Sequence, residues 1–136
     1  MFIESLLDIE KIISQNRIIF KFVYNGNRLT DLKMLKTIDL MKGVLKSLYE
    51  HEIKNVCFVF VVDSLDMPAN INMFKEFANM FHSHVDIIEK KLDFTIIQSN
   101  NGIFKMFFSI LKMYYQPVKP LYMSESNEST ERCLMS

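Results

Sequence analysis

Leu92-Asp93-Phe94-Thr95-Ile96-Ile97-Gln98, followed by Ser99-Asn100-Asn101-Gly102 and then by Ile103 to Gln116, decides the fold. The first seven residues alternate and are rich in β-branched and aromatic side chains, so they predict a strand. Ser99 to Gly102 stops that strand and can cap a helix. Ile103 to Gln116 then predicts a helix that is apolar almost all the way round. Its polar residues Lys105, Ser109, Lys112 and Gln116 fall at steps of four, three and four, which makes one narrow stripe. Such a helix needs cover on more than its inner face, from its own domain, a ligand, a partner or a membrane.

Downstream, Pro117 and Pro120 bracket Val118-Lys119, so the chain leaves the helix there. Leu121-Tyr122-Met123 predicts a last short strand. Residues 124–136 form a polar tail with room for a turn of helix that packs Cys133 and Leu134.

Upstream, Val56-Cys57-Phe58-Val59-Phe60-Val61-Val62 is apolar on both strand faces, the pattern of a central strand covered above and below. Asp63 to Pro68 reads as a loop. From about Asn70 to Lys90, Phe74, Phe77, Ala78, Phe81, Val85 and Ile88 recur at helical spacing. An earlier helix, capped by Thr30, runs from Asp31 to about Glu52, with Met34, Leu35, Ile38, Met41, Leu45, Leu48 and Tyr49 on one side. Arg17 to Tyr24 is a strand ended by Asn25-Gly26-Asn27. Residues 1–15 are ambiguous: Phe2, Ile3, Leu6, Leu7 and Ile13 suit a helical face, whereas Leu7, Ile9 and Ile13 suit a strand. A hairpin through Ser14-Gln15-Asn16 is the preferred reading.

The expected order is (β)β-α-β-α-β-α-β-(α). Alternating strands and helices imply an α/β domain with a four- or five-stranded, mostly parallel mixed sheet and right-handed crossovers. Residues 1–123 form that domain, and 124–136 the tail.

The totals agree. A chain of 136 residues that is 49% hydrophobic and 24% charged is long enough for one real core. Sixteen acidic and sixteen basic residues cancel, which argues against a dedicated nucleic-acid binder. Two cysteines without metal spacing or a disulfide framework point to a reduced, intracellular protein. No signal peptide is visible, and no apolar run reaches the roughly 20 residues that span a bilayer. The expected location is cytoplasmic.

No catalytic set assembles. Asp63 and Asp66 follow the central strand, where ligands of open α/β sheets bind, but no third acid or lysine motif completes a site and a loop-and-cap role is simpler. His82 and His84 are two apart on a predicted helix and cannot share a metal, and His51 sits between Glu50 and Glu52 at a helix end. No Gly-x-Ser-x-Gly elbow surrounds any serine, and Cys57 falls in mid-strand. No metal or cofactor is expected. Asn100, Asn101 and Gly102 could bind an anion through free N–H groups, although with one glycine an ordinary turn explains them as well. With three glycines in the chain, phosphate-cradling loops are all but excluded. The excess of Phe, Met and Tyr over 103–116 remains. It suits either core and a dimer seam or a pliable apolar pocket.

Three stretches resemble the fold shared by STAS domains (the anti-sigma-factor-antagonist type) and CRAL-TRIO lipid-binding domains. Phe58 to Leu65 resembles their mid-sheet hydrophobic strand ending in Asp. Leu92 to Asn100 with Ile103 to Phe108 resembles the CRAL-TRIO strand, Asn turn and Phe-bearing helix. Pro117 to Pro120 and Ser124 to Leu134 resemble the closing strand and final helix of either group. A regulatory STAS domain carries a phosphorylatable Ser or Thr after its central strand. Met67-Pro68-Ala69-Asn70-Ile71-Asn72 offers none, and Ser64 comes too early. CRAL-TRIO proteins are longer, with an N-terminal helical segment and a wider cavity.

The functional expectation is a non-enzymatic protein-interaction module that homo-oligomerises through the apolar helix, with Phe104, Phe107, Phe108, Leu111, Tyr114 and Tyr115 as its surface. The alternative, which the CRAL-TRIO resemblance implies, is a binder of a small lipophilic ligand through Phe104, Phe107, Phe108 and Leu111. Lysine-rich composition with only two alanines suggests an AT-rich genome, such as that of a parasite or large virus, and a virion or assembly role is a further alternative.

Overall fold

The computed structural model describes residues 7–14, 17–24, 31–50, 55–61, 71–99, 109 and 119–135. The order is β1 (Leu7–Ser14), β2 (Arg17–Tyr24), α1 (Asp31–Glu50), β3 (Val56–Val61), α2 (Ile71–Ser83), α3 (Val85–Lys91), β4 (Leu92–Gln98), β5 (Leu121–Ser124) and α4 (Asn127–Met135). The five strands form one sheet in the order β1-β2-β3-β4-β5. β1 runs antiparallel to β2, and β2 to β5 are mutually parallel. This is the expected mixed α/β sheet, and the described part of the ambiguous N-terminal segment, Leu7–Ser14, is a strand paired antiparallel with β2.

β3 is central and its residues Val56 to Phe60 are all buried, as its continuous apolar run requires. On one face, Ile18, Phe20 and Phe22 of β2 and Val56, Phe58 and Phe60 of β3 pack under Ile38, Met41, Leu45 and Leu48 of α1 and Ala78 and Phe81 of α2. Phe22 stacks on Phe60 at 4.9 Å and meets Phe58 edge-on at 6.0 Å, while Phe58 reaches Phe81 at 6.5 Å. On the other face, Ile19, Cys57, Val59 and Ile96 form a smaller cluster, on which Cys133 and Leu134 of α4 pack.

Two local features depart from the simple pattern. The expected single helix from Asn70 to Lys90 breaks at His84, dividing it into α2 and α3. Ser83 Oγ donates to Asn79 O at 2.8 Å, and His84 Nδ1 bonds Met80 O at 2.9 Å. These side-chain bonds compete for carbonyls of the helical ladder and bend the chain there. The apolar spacing continues across the break, so periodicity could not reveal it. The tail, in turn, holds a nine-residue helix instead of a single turn.

Asn55 enters β3 at φ 64°, a left-handed conformation that asparagine tolerates. Its carbonyl accepts from Ile18 N at 3.2 Å, tying the start of β3 to β2.

Candidate interaction site

Most residues singled out from the sequence lie outside the described residues: Phe104, Phe107, Phe108, Leu111, Tyr114, Tyr115, Asn100, Asn101, Gly102, Asp63, Asp66 and His51. Within 103–116 only Ser109 is described, and it is helical and exposed. His82 is exposed and His84 is half-buried with its Nδ1 bonded to Met80 O, so the two rings have separate surroundings. Among the described residues no group of three or more His, Cys, Asp or Glu side chains could hold a metal. Cys57 is buried, and burial pushes its thiol up to about 12, which keeps it protonated and inert.

Two surfaces built from described residues stand out. The first is where α4 crosses the second face of the sheet. At its amino end, Gln98 Nε2 donates to Asn127 Oδ1 at 2.8 Å, and Thr130 Oγ1 donates to Gln98 Oε1 at 2.7 Å. Ser124 Oγ lies 2.7 Å from Thr130 Oγ1 and 2.9 Å from Ser126 O, and its one proton goes to one of these oxygens at a time. Ser126 caps the helix, its Oγ accepting from Ser129 N at 3.1 Å. None of these side chains titrates near neutrality, so the network has no base to activate a hydroxyl. It clasps α4 to the carboxyl ends of β4 and β5.

At the other end of α4, Arg17 Nη1 donates to Leu134 O at 2.9 Å, which satisfies a carbonyl in the last turn. The guanidinium carbon also lies 4.9 Å over the Phe94 ring, and Nη2 is 3.6 Å from Asp93. Asp93 is the extra residue where the β3–β4 register slips, Val56 facing Leu92 and Cys57 facing Phe94. That irregularity aims its carboxylate at Arg17. Sequence reading missed this clasp. The one available signal was Gln98, a polar residue on the same strand face as Phe94 and Ile96.

The second surface is β1. Residues 8–13 are exposed throughout, with Ile13 at 74%, Ile9 at 39% and Ile12 at 37%. Ile9, Lys11 and Ile13 oppose Phe22, Phe20 and Ile18, so they share the helical face, while Ile12 opposes Ile19 on the other. Lys11 leans back over Phe20 at 6.0 Å.

A βαβ succession on one mixed sheet, led by an antiparallel hairpin strand and closed by a helix on the opposite face, is a distinctive topology. The whole chain overlays a solved structure from Shewanella loihica PV-4, an uncharacterised protein of the DUF3478 family with a SpoIIAA-like fold. The TM-score is 0.59, with 97% of this chain and 98% of that one covered.

The chain is SpoIIAA-like in fold.

Sequence identity to that structure is 12%, so the likeness concerns the fold alone. No protein-family model and no curated protein matches the sequence. No helix among the described residues of this SpoIIAA-like chain is long and apolar enough to cross a membrane.

Proposed function

We propose that this chain is a non-enzymatic protein-interaction module that associates with a second copy of itself in a cytoplasmic setting. The observation that carries the reading is β1, an edge strand whose three isoleucines are exposed on both faces of the sheet. Strand edges are templates for pairing with another chain, and monomers blunt them with prolines, bulges, short length or charge; β1 has only charge, from Asp8, Glu10 and Lys11, interleaved with its exposed isoleucines. The composition of 103–116 supports the same reading. Phe104, Phe107, Phe108, Leu111, Tyr114 and Tyr115 give that segment more apolar surface than a single buried stripe uses. An assembly role, in a virion for example, would be one use of such a module.

Sedimentation of the full chain across a wide concentration range tests the proposal, and native mass spectrometry identifies anything bound. A concentration-dependent dimer carrying no small molecule is expected. A monomer that retains a lipid through purification would replace this reading with the CRAL-TRIO-like one, a binder of a lipophilic ligand.

A further inference from the structure

The two edges of the sheet differ. β5 has four residues, follows Pro120, and ends at Ser124 inside the α4 network. β1 has eight residues and no proline, and its register against β2 is unbroken from Leu7↔Tyr24 to Ser14↔Arg17. Its outer edge has no strand beside it among the described residues. Among the described residues β1 is the longer and more regular edge, blunted by the charges of Asp8, Glu10 and Lys11 and by no proline, bulge or helix.

We infer that β1 is where two copies of this chain join, pairing antiparallel with β1 of the second copy about a dyad at Ile12. This rests on the self-association proposed above and names its surface. Antiparallel pairing of identical strands places the dyad along the sheet normal, so each residue must oppose one on the same face. Opposed residue numbers then sum to an even value, which excludes the full-length register that would set Glu10 against Lys11. Four even registers join five or more residues of Leu7–Ser14.

Charge decides among the four. A dyad at residue 9 sets Asp8 against Glu10, one at residue 10 sets Glu10 against itself, and one at residue 11 sets Lys11 against itself. Like charges directly opposed destabilise a strand pair. A dyad at Ile12 opposes Ile12 with Ile12, Glu10 with Ser14, and Lys11 with Ile13. In that register Ile13, the most exposed of the three isoleucines, lies under the aliphatic stem of Lys11 from the second copy. The two Lys11 side chains fall on a diagonal at about 7–8 Å, and each ammonium is drawn back toward Phe20 of its own copy, away from the other. The result is a ten-stranded sheet with the helical faces of both copies on one side.

The test combines sedimentation with oxidative cross-linking of single substitutions in a Cys133→Ser background. Ile12→Cys is expected to give a covalent dimer several-fold faster than Glu10→Cys or Lys11→Cys. Ile12→Lys, which sets two ammonium groups in direct opposition, is expected to weaken the dimer by about tenfold or more. Because Ile12 is partly exposed, circular dichroism and thermal unfolding of the variants check that the fold is retained. Fastest cross-linking at position 10 or 11 overturns the register. A dimer that Ile12→Lys leaves intact, but that polar substitutions at Phe107 and Tyr114 dissolve, overturns the β1 interface while self-association stands. A wild-type chain that is monomeric at every attainable concentration removes both.

Discussion

Gln98 and Thr130 are 32 residues apart in sequence, yet Thr130 Oγ1 donates to Gln98 Oε1 at 2.7 Å, and the last helix is thereby registered on the end of β4. Both side chains are buried. Thr130→Val keeps the shape while removing the donor to Gln98 and a partner of Ser124. It is expected to destabilise the fold by about 1–3 kcal/mol, read from urea unfolding. Ser126→Ala removes an exposed cap and should cost about 1 kcal/mol. Equal effects from the two would mean that the buried network contributes no more than the cap does.

Arg17 holds the opposite end of the same helix. Arg17→Met deletes the bond to Leu134 O and the stacking on Phe94, and a loss of about 1.5–3 kcal/mol is expected. Arg17→Lys should recover only part of it, because an ammonium cannot reproduce the planar fork that stacks and donates together. The contact with Asp93 at 3.6 Å is part-exposed and contributes little, so added salt should leave most of the difference in place.

Gly43 lies on the exposed side of α1, and a Cβ built there meets nothing within 4 Å. Glycine in mid-helix carries an entropic penalty that alanine removes. Gly43→Ala should therefore stabilise the chain by about 0.5–1 kcal/mol, seen as a higher unfolding midpoint at unchanged m-value. A decrease would show that this helix is held in a geometry alanine does not fit.

The two thiols should behave differently. Cys133 is half-buried on α4 and Cys57 is buried beneath the helix, so at mildly alkaline pH a thiol reagent should label Cys133 first and Cys57 only on unfolding. Burial raises the Cys57 pKa from an ordinary 9.0 to about 12 in the folded chain. The unfolded thiol therefore ionises first. The contribution is fully present below about pH 9 and is lost as pH rises toward 12. Cys57→Ala should make stability fall less steeply across that window, and an unchanged slope would contradict the assignment.

What the sequence revealed followed from burial. Val56 to Phe60 is apolar on both faces because helices cover both sides of β3, and Leu92 to Gln98 alternates enough to read as a strand. β1 was ambiguous for the complementary reason. Its isoleucines are exposed on both faces, Ile9 and Ile13 on one and Ile12 on the other, so no single period marks a buried side. The break at His84 stayed hidden because two side-chain hydrogen bonds make it while the apolar spacing runs on. The clasp around α4 was invisible because Ser124 to Glu131 is a string of polar and acidic residues that reads as tail. Its partners, Arg17 and Gln98, are distant in sequence.

The apolar surface expected over 103–116 has its own consequence. Replacing Phe107 and Tyr114 together with polar residues should weaken association or release a bound ligand, measured by sedimentation and native mass spectrometry. Wild-type behaviour in both would remove those residues from the interaction surface.

Sedimentation equilibrium of the unmodified chain over a wide concentration range tests the central claim most directly. A reversible monomer–dimer equilibrium with no retained small molecule is the predicted result. A single species at the monomer mass of 16.1 kDa at every concentration would contradict it.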